Sequence, residues 1–249
     1  MIPIRDNLPT RTTAWVVPAL VALNVVAFAL TLSGDTAAQQ FGAYSYQLTG
    51  AVPLRPDWWP IDAAFPPAPT HVEWWRVVTH MFMHGGWLHL LGNMWFLWLF
   101  GDNVEDRLGR GRFALLYAAA GLVALASQVL AEPGSPIPMV GASGAVAGVL
   151  GAYLVLFPRA SVQVLLPLGF VLLPMLWQAR VFLGLWLGTQ VVNALVTANG
   201  PGVAWWAHIG GFLVGMALAR PLAPPERRVR VESQRMTRPA ESDRCIRGW

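Results

Sequence analysis

Ser143 and His208 are far apart in the chain, yet each stands near the start of an apolar run, and together they have the makings of a nucleophile and its base. Ser143 sits in Gly141-Ala142-Ser143-Gly144, preceded by Pro136 and Pro138 and followed by a long apolar stretch. That setting predicts a helix N-terminus, where free backbone N–H groups and the positive end of the peptide dipoles favour a nearby anion. A serine hydroxyl attacks only when a neighbour takes its proton, and His208 is the candidate for that task. No Asp or Glu accompanies them at a matching position, so the pattern predicts a Ser-His dyad. Acyl transfer also needs donors for a developing oxyanion; the Ser143 N–H, the Asn93 amide and the His89 ring could supply them. His89 and Asn93 are four apart, hence on one helix face.

Each of these residues also has a plainer reading. A buried serine in an apolar helix often bonds a carbonyl one turn back, and a histidine there can simply bond between helices. His80 and His84 are spaced as zinc ligands might be, but Met81-Phe82-Met83 lacks the Glu of a His-Glu-x-x-His protease. They are read as hydrogen-bonding residues that order a loop, with no metal and no organic cofactor expected.

The elements that must position these groups follow from composition. The 249 residues include 17 basic residues, all Arg, and 13 acidic ones, so 12% are charged and 55% hydrophobic. A soluble domain carries about 25% charged residues. Residues 222–249 hold 11 of the 30 charges, which leaves the rest poorer still. Disorder and a soluble nucleic-acid binder are excluded on this balance, and the lone Cys245 excludes a disulfide scaffold.

Six runs, 14–32, 84–100, 113–131, 139–157, 181–198 and 203–219, approach the ~20 apolar residues needed to span a bilayer. The first is too long for the core of a cleavable signal, so it is read as an uncleaved span. Joints such as Gly101 to Arg107, Glu132-Pro133-Gly134 and Asn199-Gly200-Pro201-Gly202 separate them. The stretch 162–177 is apolar but is interrupted by Pro167 and Pro174, and it is read as an interfacial or re-entrant connection. Six spans with the N-terminus inside put 15 Arg on the cytoplasmic side and two, Arg55 and Arg76, outside.

The expected fold class is therefore all-α, a polytopic membrane bundle of six transmembrane helices. Residues 1–13 form a cytoplasmic segment and 14–220 the membrane domain, with a long external loop at 33–83 carrying Trp58, Trp59, Trp74 and Trp75. Residues 221–249 form an Arg-rich, disordered cytoplasmic tail suited to anionic lipid. Spans two, four and six run in the same direction, which sets His89, Asn93, Ser143 and His208 at one depth, roughly 8–13 Å below the outer surface. Gly144 and Gly148, and Gly211 and Gly215, form small-residue faces that would let two helices approach closely. Two rival readings are a non-enzymatic protein that binds membrane helices, against which the presence of both Ser143 and His208 speaks, and a transporter lined by these polar groups, against which their clustering at one depth speaks.

The combined pattern resembles the rhomboid family of intramembrane serine proteases. The matching pieces are Trp75-Arg76, His80-x-x-x-His84-x-x-x-x-His89-x-x-x-Asn93, Glu105-x-Arg107-x-Gly109, Gly141-Ala142-Ser143-Gly144 and Ala207-His208-Ile209-Gly210-Gly211-x-x-x-Gly215, in order, across roughly residues 14–220. The resemblance implies a six-helix core with Ser143 as nucleophile and His208 as base. It implies an oxyanion hole of His89, Asn93 and the Ser143 N–H, with Gly141 shaping its wall. Trp75-Arg76 would belong to a loop in the outer leaflet, Glu105 and Arg107 to a cytoplasmic structural network, and the fifth span to a lateral gate. Transmembrane protein substrates, the lipid bilayer as setting, no nucleic acid and a bacterial plasma membrane are likewise implied; the oligomeric state is not. Some members place an aromatic ring four residues after the serine, against the histidine. Here that position is Ala147, which leaves open what orients the His208 ring.

Overall fold

Runs with almost no charge have no polar stripe to turn toward water, and they fold here as helices apolar on nearly every side. A computed structural model describes residues 1–32, 37–53, 72–169, 171–197 and 202–225. The long helices are α1 (Val16–Thr31), then, after the short α2 (Ala37–Phe41), α3 (Ser45–Thr49) and α4 (Arg76–Thr79), α5 (Trp87–Leu108), α6 (Arg110–Ala131), α7 (Ser143–Leu156), α8 (Ala179–Val196) and α9 (Trp205–Leu222). Among the described residues α6 and α8 are long and apolar enough to cross a membrane, and α1 and α7 are shorter apolar helices. Trp58, Trp59, Arg55 and the tail from 226 onward lie outside the described residues.

Two expectations need correction. The joint at 101–107 is helical: α5 runs on to Leu108, and the break falls at Gly109, whose φ of 83° lies in the left-handed region that favours glycine. The second concerns the all-α class. The chain is mostly helical, but 162–177 forms an antiparallel hairpin, β2 (Ser161–Leu168) and β3 (Val171–Gln178), and the N-terminal segment adds β1 (Ile2–Asp6) to make a sheet of order β1-β2-β3. Pro167 and Pro174 forbid a helix interior. Pro174 lies on β3, at the edge of the sheet, where a missing N–H is tolerated. Val162 and Val164 of β2 alternate inward and are fully buried, whereas Leu172 and Leu176 of β3 are exposed. Hydropathy alone cannot distinguish such a strand pair from a short apolar helix.

The tightest seam in the bundle joins α7 to α9. A Cβ on Gly211 would collide with the Gly144 carbonyl, and one on Gly215 with the Gly148 carbonyl. The other flank of α7 meets α6, where Cβ atoms on Gly144 and Gly148 would strike Ala124 and Ala120. The small-residue faces expected of Gly144, Gly211 and Gly215 are thus contact surfaces between backbones.

At the opposite end of α5 from His89, Glu105 is buried and receives the N-terminal N–H groups of α1. Trp15 and Val16 donate to its Oε1 at 2.8 and 3.0 Å, and Val17 donates to Oε2 at 2.9 Å. Since α1 has no side-chain cap of its own, a carboxylate from α5 satisfies donors that would otherwise be stranded. Beside it Asp106 accepts from the Arg11 and Thr12 N–H groups, and Arg107 Nη1 donates to the Pro224 carbonyl at 2.9 Å. Asp6 accepts from Tyr153 Oη at 2.5 Å and Asn103 Nδ2 at 2.9 Å, which anchors β1 to α5 and α7. Glu105→Ala should lower stability by about 3 kcal/mol, since buried N–H groups lose their acceptor. Thermal unfolding of the purified protein reads this, with Glu105→Gln falling in between because one oxygen acceptor is kept.

Candidate active site

The approach to Ser143 is held by the segment between α1 and α5. Ala43 and Met139 exchange backbone hydrogen bonds of 3.0 and 2.7 Å, and the Gly141 N–H donates to the His80 carbonyl at 2.8 Å. His80 is buried and its Nδ1 lies 3.1 Å from the Arg76 carbonyl. Burial holds its imidazole down at about 4, so the ring is neutral near pH 7. Arg76 donates through Nη1 to the Gln39 and Gly42 carbonyls at 2.7 and 3.0 Å, pairs with Glu73 at 2.5 Å, and lies 4.9 Å from the Trp75 ring centroid. His80 thus ties directly to the segment that leads into α7, while Arg76 holds residues 39–42, beside the Ala43–Met139 bridge. The His84 ring is buried and meets the His89 ring edge-on at 5.1 Å.

Gly141 has φ 121°, a left-handed conformation costly for any other residue. A Cβ there would lie 2.7 Å from His89 Nε2 and Cε1 and 3.6 Å from Asn93 Nδ2. Gly141, His89 and Asn93 thus share one wall. They line a cavity of about 640 Å³ together with Ser143, His208 and Gln190. Ser143 is the first residue of α7, where helix geometry leaves its N–H without an intrahelical acceptor. Asn93 Nδ2 is buried and has no hydrogen-bond partner, an unused donor in the cavity wall.

His208 enters from the first turn of α9, across the seam at which Gly144 and Gly211 touch. Among the described residues no hydrogen bond joins Ser143 to His208, although both line the same cavity. Catalytic hydrogen bonds are often long or unmade in a resting site and tighten only with substrate. The His208 ring is nevertheless held: Nδ1 lies 2.8 Å from Gln190 Oε1, Trp186 lies tilted alongside at 5.9 Å, and Trp205 approaches edge-on at 6.1 Å. Gln190 and Trp186 were missed as site residues. The partner of Gln190 is 18 positions away, and such a pair has no local signature.

Helices too apolar for water, closed around a pocket lined by a serine and a histidine from different helices, define a helical bundle of the integral-membrane type. Residues 71–225, more than half of the chain, match the Rhomboid domain. The chain belongs to the rhomboid family. Over 82 residues it is 42% identical to the putative rhomboid protease YdcA of Bacillus subtilis strain 168, covering 33% of this chain and 41% of that protein. It is 36% identical over 160 residues to the rhomboid protease GluP of the same organism, covering 62% and 27%. Against the rhomboid protease GlpG of Salmonella paratyphi A it is 28% identical over 207 residues, covering 82% and 61%. The chain thus matches less than two thirds of the length of each of these relatives.

Proposed function

We propose that this chain is an intramembrane serine protease that hydrolyses peptide bonds in or beside the transmembrane segments of other membrane proteins. The observation that carries the reading is that Ser143, His208, His89 and Asn93, from α7, α9 and α5, line one cavity. In the proposed mechanism Ser143 Oγ bonds to the scissile carbonyl carbon while His208 takes the hydroxyl proton. The carbonyl electron pair moves onto oxygen, where the Ser143 N–H, the Asn93 amide and the His89 ring stabilise it. Collapse breaks the C–N bond, and the leaving amine takes the proton from His208. Water, activated by the same histidine, then hydrolyses the acyl-enzyme. No metal or organic cofactor takes part. A substrate helix must unwind locally first, because its hydrogen bonds shield the carbonyls.

The proposed topology is six crossings with both termini in the cytoplasm. Support comes from parity. β1 pairs with β2, Asp106 holds residues 11 and 12, and Arg107 reaches Pro224. The N-terminal segment, the α5–α6 turn, the hairpin and the end of α9 accordingly share one end of the bundle. Arg11, Arg107, Arg110, Arg112, Arg159 and Arg180 belong to that end, as the positive-inside rule requires of a cytoplasmic face. On this reading Trp75-Arg76 faces the outer leaflet, α8 is the lateral gate, and the bacterial relatives favour a plasma membrane.

A fluorophosphonate probe, which reacts only with an activated hydroxyl, should label the full chain in lipid vesicles at Ser143. Absence of labelling in folded protein would overturn the reading. Gly141→Ala, which forces a Cβ against the His89 ring, should slow that labelling about 100-fold, the loss typical of one disturbed oxyanion donor.

A further inference from the structure

The base of the proposed dyad has a partner that neither the motif pattern nor the family match assigns. We propose that Gln190 is a positioning residue for His208: its side-chain oxygen accepts the Nδ1 proton, fixing the tautomer that leaves Nε2 free to take the proton of Ser143, while Trp186 supports the ring. The inference deepens the protease reading and rests on it.

The identity of the Gln190 atoms is set by their other contacts. Its Nε2 lies 3.1 Å from the Trp186 carbonyl and 3.1 Å from Thr189 Oγ1, and Thr189 Oγ1 itself donates to the Trp186 carbonyl at 2.6 Å. Turning the amide round would set an oxygen against a carbonyl that accepts only. Oε1 is therefore the atom that meets His208 Nδ1 at 2.8 Å, and it can only accept. A neutral imidazole that donates from Nδ1 carries its lone pair on Nε2. Gln190 is itself buried, 6% exposed, and faces the same cavity. Trp186 stands one turn before it on α8, so one helix face supplies both the acceptor and the flat surface beside the ring. Ala147, on α7, also lines the cavity and brings no ring of its own.

The test uses the full chain in lipid vesicles and a fluorophosphonate probe, comparing wild type with Gln190→Leu and Gln190→Glu. Leu removes the acceptor at nearly constant volume, and Glu, carrying a proton on the oxygen that faces the Trp186 carbonyl, keeps an accepting oxygen at the same reach. Gln190→Leu should slow labelling of Ser143 about 10- to 100-fold at saturating probe, with the half-saturating probe concentration unchanged within twofold. Gln190→Glu should recover most of the rate. In protein labelled with ¹⁵N-histidine, His208 should carry its proton on Nδ1 in wild type and lose that preference in Gln190→Leu; His208→Ala assigns the signal. The inference is overturned if Gln190→Leu labels at the wild-type rate, if Glu is as slow as Leu, or if the wild-type ring carries its proton on Nε2. Should wild type fail to label at all, the protease reading falls, and the nitrogen spectrum still decides whether Gln190 sets the tautomer.

Discussion

Ser143→Ala, His208→Ala and the double variant should each lower peptide-bond cleavage by a similar factor, on the order of 10⁴–10⁶, with the double no worse than the poorer single. The reason is chemical coupling. Without a base the Ser143 hydroxyl keeps its proton, and without the hydroxyl the His208 ring has nothing to activate. On the proposed mechanism the groups left behind, Asn93, His89 and the α7 N-terminus, would still bind a polarised carbonyl and account for any residual rate. Steady-state cleavage of a transmembrane substrate in vesicles measures this, with insertion and unfolding temperature as controls. Losses that multiplied would mean that the two residues act separately, and the proposed dyad would fail.

Gly215→Leu should have the largest effect of any change away from the cavity. The Gly215 Cα faces the Gly148 carbonyl, with no room for a Cβ, and the atoms in the way belong to the backbone and cannot rotate aside. The α7–α9 seam must open, at about 3 kcal/mol, the upper part of the range for overpacking. The same opening moves His208 relative to Ser143, since both sit on that seam within about two turns of the clash. A displacement near 1 Å costs about 100-fold in rate. Thermal unfolding and fluorophosphonate labelling should therefore fall together, with Gly215→Ala intermediate in both. A variant that lost stability but labelled at the wild-type rate would show that the seam does not set the distance between the two side chains.

Much of this was legible in the residue order because its signals are local. A serine between glycines at the head of an apolar run marks a helix start whatever lies beside it. His89 and Asn93 share a face by the helical repeat alone. Glycines four apart announce a flat surface, and α7 and α9 use theirs for close contact. The resemblance implies a structural network around Glu105 but not its burial or its targets: the α1 N–H groups lie about 90 positions away, and no spacing rule reaches that far.

By itself the sequence determined which segments are too apolar for water, that Ser143 stands at a helix start, and which two residue types could form a nucleophile and its base. Those are properties of single segments, dictated by hydration and by backbone geometry over a few residues. Only the tertiary structure decided that 161–178 is a hairpin completed by the N-terminus, that the α5 carboxylate caps α1, and that Gln190 is the atom-for-atom partner of His208. Each of these joins groups distant in the chain, and such pairs are selected by the requirement that every buried polar group find a partner, a condition that applies to the packed molecule as a whole.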